Sequence, residues 1–318
     1  MILVAGSANL DFVVQVPTIP APGETVLGHD LAFFSGGKGA NQATACARAG
    51  GVATEMLLAL GDDWLAETIE SSLRAANVKM HLIRTQNLRT GAAFVSVNGD
   101  AENAITVAPG ANDALSVDDL PPLDGCSHLL LQLETPVSVV AAYARVAREK
   151  GVTVVLNAAP AQRLSAEILA LLDILVVNEG EAKLVAGHDG TIASCVSRLG
   201  VPCTVVTLGH RGCCAVDGAA TLFQPGFAVN AMDTTAAGDT FCGVLVAALS
   251  RGRSLQTALL RANAAAALAC SKRGAQDSIP CRDDIDYFLK NELPPAGADS
   301  QALKEHCGFD GEDWPDEE

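Results

Sequence analysis

Aromatic side chains make up only 4% of the 318 residues. Stacked rings therefore cannot dominate the interior, and with 49% hydrophobic residues the core must be packed mainly from Ala, Val and Leu. Long apolar runs are also missing. No stretch approaches the roughly 20 residues that span a bilayer. The N-terminus enters a short strand pattern, Ile2-Leu-Val-Ala5, with no basic segment before it, so a soluble chain without a signal peptide is expected. Positive charge is scarce as well: 21 Lys and Arg stand against 37 Asp and Glu, for a formal charge of −16. Such a field excludes a general attraction to nucleic acid or to an anionic membrane, although one nucleotide can still bind through local donors. Ten cysteines are present, but dispersed and without a Cys-x-x-Cys pair. Cys46 and Cys270 sit among alanines as small apolar residues, which predicts a reducing, cytoplasmic compartment. Adjacent Cys213 and Cys214 would point to opposite faces of a strand and pack there. Neither the Gly-x-x-x-x-Gly-Lys-Ser/Thr phosphate loop nor the Gly-x-Gly-x-x-Gly fingerprint occurs.

What is present centres on Ala231 to Gly243. Ala236, Ala237 and Gly238 lead into Asp239, and Thr240 opens an apolar run at helical spacing (Phe241, Val244, Leu245, Ala248). A helix N-terminus with bare backbone offers unpaired N–H groups and a positive dipole end to an anion. An aspartate beside it can take a proton from a hydroxyl attacking a bound phosphoryl group. On this stretch alone, Asp239 reads as a plain helix cap or as the base of a phosphoryl-transfer centre.

Other polar residues fall where open α/β sheets bind ligands, at the carboxyl ends of apolar strands. Asn9 and Asp11 follow the first strand, Glu134 ends His128-Leu-Leu-Leu-Gln-Leu-Glu134, and Ser35-Gly-Gly-Lys-Gly-Ala-Asn-Gln42 turns into an Ala-rich helix. Asn178-Glu-Gly-Glu181 reads equally as a capping box, and Thr207-Leu-Gly-His-Arg-Gly212 as a sharp turn. Strand and helix alternate from Val152 onward (strands 152–156, 174–177 and 204–208; helices 165–172, 179–186 and 193–199), which predicts a mostly parallel sheet. Gly91 to Val107 alternates apolar and polar residues around Asn98-Gly99, a hairpin signal. With strands within about 12–34 it forms either a small separate sheet or an edge extension of the main one.

Asp233-Thr-Thr-Ala-Ala-Gly-Asp239-Thr-Phe, Gly36-Gly-Lys-Gly-Ala-Asn41 and Asn9-Leu-Asp11 together resemble, in order and spacing, the ribokinase branch of the carbohydrate kinases. The likeness extends from residue 1 to about 293. It implies an α/β, ribokinase-like three-layer sandwich whose mostly parallel sheet is flanked by helices, with a small β-sheet lid over the sugar that pairs two subunits into a homodimer. It implies ATP-dependent phosphorylation of D-ribose at the 5-hydroxyl, with deoxyribose, fructose or adenosine as alternative acceptors and a non-catalytic sensor as the rival class. Asp239 would be the general base, and the amides of Ala236, Ala237 and Gly238 the anion hole. Asn9, Asp11, Gly37, Lys38, Asn41 and Glu134 would hold the sugar.

The same resemblance assigns nucleotide contacts to Asn178, Glu181, Thr207, Gly209, Gly212, Gly238 and Asn263. Mg²⁺ would be oriented by Asn178 and by Glu181, the latter largely through water. A monovalent cation, K⁺, would be held by Asp233, Thr235, Ala269, Lys272, Gly274 and Ser278, mostly through carbonyl oxygens. His210 and Arg211 receive no role. Residues 294–318 extend past the resemblance: the segment is acidic, with eight Asp or Glu against Lys304. It reads as a solvated extension, or as one docked through Phe309 and Trp314.

Overall fold

The computed structural model describes residues 1–99, 103–291 and 297–309. The chain opens with β1 (Ile2–Ala5), β2 (Asn9–Gln15), β3 (His29–Gly36) and α1 (Lys38–Thr44), the last continued by a π-helical turn over Ala45–Ala49. Next come β4 (Thr54–Gly61), α2 (Trp64–Ala75), β5 (Lys79–Thr85), β6 (Gly91–Val97) and β7 (Asn103–Ala108). Strands and helices then alternate: β8 (His128–Leu131), α3 (Val137–Glu149), β9 (Thr153–Asn157), α4 (Ala166–Leu169), β10 (Ile174–Asn178), α5 (Glu179–Ala186), α6 (Ile192–Val196) and β11 (Cys203–Thr207). A hairpin of β12 (Gly212–Asp217) and β13 (Ala220–Pro225) leads to α7 (Ala237–Ser250), α8 (Leu255–Cys270), α9 (Arg282–Asn291) and α10 (Gly297–Cys307).

Two sheets result. The large one has the order β13-β12-β11-β10-β9-β8-β1-β4-β5, parallel from β11 to β5, with β12 and β13 antiparallel at one edge. Strands covered on both faces read as continuous apolar runs, and Ile2, Leu3 and Val4 of β1 are fully buried. Even residues of β1 (Ile2, Val4) pack with α1, α2, α7 and α8, while odd ones (Leu3, Ala5) pack with α3, α5 and α6, which makes the three layers. Cys213 and Cys214 fall into these two opposite layers, both buried. Among the described residues no helix is long and apolar enough to cross a membrane.

The small sheet has the order β3-β2-β6-β7 and is separate from the large one. Its hairpin β6/β7 spans the expected Asn98-Gly99 turn. Some boundaries differ from the sequence reading. Asn9 and Asp11 lie within β2, a strand of the small sheet, not in a loop after β1. In β2 the register opposes Asp11 to Phe34 and Ala93, and Phe12 to Phe33 and Phe94. Strand alternation thus sends Asp11 to one face and a cluster of phenylalanines to the other.

The helix after the small-residue stretch starts at Ala237, not Thr240, so Asp239 belongs to its first turn. The extension does pack against the body: Leu303, Cys307 and Phe309 are buried in the layer of α3, α5 and α6. Trp314 lies outside the described residues.

Candidate active site

Gly37 sets the geometry of the first half of the site. Its φ of +86° is a conformation that L side chains rarely adopt, and a Cβ there would lie 2.7 Å from Ala8 Cα and Asn9 N. Only glycine lets the β3–α1 turn press against the β1–β2 turn. At Gly36 a Cβ would fall on the Asp11 carboxylate. These contacts bring Asp11, Lys38 and Glu134 together. Glu134 accepts from Ser7 Oγ at 2.6 Å and from Lys38 N at 3.0 Å. Burial, then the nearby Glu134 and Asp239 charges, push the Asp11 carboxyl up to about 7 despite the opposing pull of Lys38. For Lys38, burial works against its charge, but attraction from Asp239, Glu134 and Glu181 outweighs it and holds the ammonium above its ordinary range. The four carboxylates therefore share one field, with a single lysine among them.

Asp239 does not cap its helix; no side-chain capping bond is made at the α7 N-terminus. It is 8% exposed and faces α1, where its Oδ2 accepts from Asn41 Nδ2 and its Oδ1 from Gln42 Nε2, both at 2.9 Å. Gln42 is itself held: its Nε2 also donates to Asn157 Oδ1 at 3.0 Å, and its Oε1 accepts from Gln132 Nε2 at 2.7 Å. One N–H on each oxygen fixes the carboxylate plane while leaving further lone pairs. Asp11 Oδ1 and Asn41 Oδ1 are buried without a hydrogen-bond partner among the described residues. Buried acceptors of this kind match the hydroxyls of a small polyol.

Beyond Asp239 lies the second half, a cavity of about 890 Å³ reaching from the α7 N-terminus to α8. Ala236, at φ +58°, turns the chain into α7, whose first intrahelical bond runs from Thr240 N to Ala236 O at 2.8 Å. The amides of Gly238 and Asp239 precede that bond, at the positive end of the helix dipole. A Cβ on Gly238 would meet nothing within 4 Å, so the backbone there is open to the cavity that Ala237 and Gly238 line. A braced carboxylate thus stands between a polar cluster and an open helix N-terminus, an arrangement chemically suited to in-line phosphoryl transfer.

Residues 1–282 match the pfkB family of carbohydrate kinases. The chain belongs to that family. Among its relatives, the ribokinase of Haemophilus influenzae is 39% identical over 91% of this chain and 98% of its own length. The mouse ribokinase is 32% identical over 91% and 94%. Among solved structures, a Thermotoga maritima ribokinase superposes with a TM-score of 0.85 at 35% identity, covering 92% of this chain and 99% of its own. Arabidopsis thaliana ribokinase, complexed with ribose and ATP, superposes with a TM-score of 0.83 at 32% identity over 92% and 99%.

Most of the site residues expected of a carbohydrate kinase converge. Thr207, Gly209, Gly212, Ala237, Gly238 and Asn263 all line the cavity. Asn263 donates to Cys213 Sγ and to Leu259 O, both at 3.1 Å, so its amide nitrogen is committed to the protein. Asn178 and Glu181 form the capping box in full: Glu181 N donates to Asn178 Oδ1, and Asn178 N to Glu181 Oε2, each at 2.8 Å. Burial pushes the Glu181 carboxyl up, with Asp239 adding to the rise and the Asn178 amide and Lys38 opposing it, while neither Asn178 nor Glu181 lines the cavity. Asn9 is 2% exposed, and its Oδ1 accepts from Asn112 Nδ2 at 2.8 Å, so half of its amide serves the fold.

The loop before α7 and the loop after α8, where the monovalent cation was expected, are tied together by hydrogen bonds of their own. Asp233 Oδ1 accepts from Thr235 N and Oδ2 from Gly274 N, both at 2.9 Å. Ala269 O accepts from Lys272 N at 3.1 Å, and the buried Ser278 donates to Ala275 O at 2.8 Å.

The sequence reading missed Gln42, Gln132 and Asn157, which brace Asp239. Gln42 stood at the end of the glycine-rich motif, and Gln132 interrupts the apolar strand end Leu130-Leu-Gln-Leu133; a polar residue inside such a run was the available signal. His210 and Arg211, left without a role, line the cavity. So do three residues of α10, which nothing in the sequence connected to the site.

Proposed function

We propose that the chain transfers the γ-phosphoryl group of ATP to the 5-hydroxyl of D-ribose, giving ribose 5-phosphate and ADP. The observation that carries this is the position of Asp239: a braced carboxylate with the Asp11–Lys38–Glu134 cluster on one side and the α7 amides on the other. Asp11 accepts from two neighbouring hydroxyls, and Asn41, Asn9, Gly37, Lys38 and Glu134 complete the sugar cradle. The small, polar character of that cradle favours a pentose over a nucleoside, whose base would need an apolar wall. Asp239 takes the proton of the primary hydroxyl as its oxygen attacks. The amides of Gly238 and Asp239, presented by the turn at Ala236, steady the charge moving onto the transferred group, whereas the Ala237 amide expected to join them already donates to Thr234 O at 3.2 Å. The relatives named ribokinase, and the one solved with ribose and ATP, support the same substrates.

Mg²⁺ bound with the nucleotide would neutralise phosphate charge. Asn178 and Glu181 would orient it. Among the described residues no three His, Cys, Asp or Glu side chains converge on a metal position, which suits an ion held by phosphates and water. The oxygen-rich junction of Asp233, Thr235, Ala269, Lys272, Gly274 and Ser278 would take K⁺ and stiffen the turn into α7. The small sheet exposes Ile105 and Val107 on the face of Asp11 and Phe33 and Phe94 on the opposite face, apolar area that supports pairing of two lids in a homodimer. A reducing cytoplasm fits ten cysteines that are all free thiols.

A coupled ADP-release assay over ribose, deoxyribose, fructose and adenosine, each with and without K⁺ and with the metal chelated, tests the whole reading. Ribose is expected to give the highest kcat/KM, K⁺ to raise it, and chelation to abolish turnover. A preference for adenosine, or ribose binding without ADP release, would overturn it.

A further inference from the structure

The nucleotide cavity has a wall that lies outside the part of the chain matching the family. That match ends at residue 282, whereas Ala302, Leu303 and His306 of α10 line the cavity. The spacing i, i+1, i+4 puts all three on one face of the helix. α10 is firmly seated. Leu303 and Cys307 are 4% and 0% exposed, Cys307 Sγ lies 3.7 Å from Cys214 Sγ of β12, and Phe309 meets Phe223 of β13 edge-on at 5.5 Å. Gly308, at φ +76°, ends the helix, with Gly308 N donating to Glu305 O and Phe309 N to Lys304 O. A Cβ there would strike Thr191 at 2.8 Å.

Leu303, Cys307 and Phe309 join the core layer of α3, α5 and α6, whereas α8, which supplies Asn263, packs on the other face of the sheet. α10 therefore closes the cavity from the side opposite α8. A second contact reaches the phosphate side: His306 Nε2 meets the carboxylate of Glu179, the residue directly after Asn178. With α10 in place the cavity still holds about 890 Å³, near the upper end of typical small-molecule pockets, so the helix borders the space without filling it.

We propose that α10 is a nucleotide-binding element. Its Ala302–Leu303–His306 face forms the outer wall against the nucleoside of ATP, and the His306–Glu179 contact ties that wall to the Asn178–Glu181 motif. This rests on the cavity being the donor site. It adds that donor affinity in this chain depends on the C-terminal extension while acceptor affinity does not.

Two variants test it: full-length Ala302→Trp, which fills the cavity from an exposed helical position, and a chain ending at residue 293. KM for ATP and for ribose are measured separately, ADP binding is measured by calorimetry, and melting temperature reports the fold. Ala302→Trp is expected to raise KM for ATP and Kd for ADP about tenfold or more, with KM for ribose within about twofold of wild type, since α10 lines only the nucleotide cavity. The truncated chain is expected to show the same split. If truncation unfolds the protein, Ala302→Trp decides alone. Unchanged ADP affinity in a folded Ala302→Trp, or parallel loss of ribose and ATP affinity, overturns the proposal for α10. A wild-type chain that binds no ADP overturns the donor-site reading, and this inference with it.

Discussion

The polar cluster proposed to hold the sugar and the cavity proposed to hold the nucleotide lie on either side of Asp239 and are built on opposite principles. Around Asp11 the chain is pressed together: Gly36 and Gly37 have no room for a Cβ, and the buried amides are bonded within the protein, Asn41 and Gln42 to Asp239 and Asn9 to Asn112. Across Asp239 the α7 N-terminus is open, Gly238 would meet nothing with a Cβ, and the cavity walls come from turns, α8 and α10. A small acceptor is selected by fixed hydrogen-bonding groups, because leaving one unpaired costs far more than a missing apolar contact. A nucleotide is gripped mainly through phosphates by backbone, so the rest of its pocket can stay roomy.

The largest effect should come from breaking the junction itself. Asp239→Asn removes the proton acceptor and is expected to lower kcat by about 10²- to 10⁴-fold while melting temperature and ADP affinity hold; a fully active variant would refute the role. Next, Asp11→Asn tests the sugar side. Losing a charged acceptor is expected to raise KM for ribose about 10- to 100-fold, with KM for ATP unchanged.

The pH profile sharpens that assignment. Asp11 must be ionised to accept from two hydroxyls, and its carboxyl is raised to about 7. kcat/KM for ribose should therefore fall about tenfold per pH unit on the acid side of that value, a limb that Asp11→Asn should lack. Stability carries the opposite sign. Between the unfolded value of 3.8 and about 7 the folded state binds the extra proton, so this group's contribution to stability declines as pH rises through that window. Asp11→Asn should then melt higher than wild type at pH 8 and lose the advantage in acid.

The glycines provide the smallest and most direct contrast. Gly37→Ala must hold an L side chain at positive φ, at a cost of about 1–2 kcal/mol before the contact with Ala8 is relieved, and denaturant melts should show it. Gly238→Ala should leave stability unchanged or slightly higher, by up to about 1 kcal/mol, yet raise KM for ATP by placing a methyl where a phosphate approaches the backbone. Equal stability losses at the two positions would erase the distinction between a packed half and an open half.

Local chemistry marked Asp239, Asp11, Lys38 and the Asn178–Glu181 box as candidates within a few positions of chain, but each also read as a cap or a turn, and it was the resemblance across the whole chain that gave them roles. The alternation of strand and helix after Val152 likewise announced the parallel sheet, since period and composition report which faces are buried. Tertiary structure alone decided whether Asp239 capped its helix or faced α1, because its partners Asn41 and Gln42 lie nearly 200 residues away in sequence. It alone recruited Gln132 and Asn157 as braces, through the order in which β8 and β9 sit in the sheet. It alone turned an acidic tail into a wall of the cavity, because burial of Leu303 and Cys307 depends on surfaces that exist only once β12 and β13 have folded.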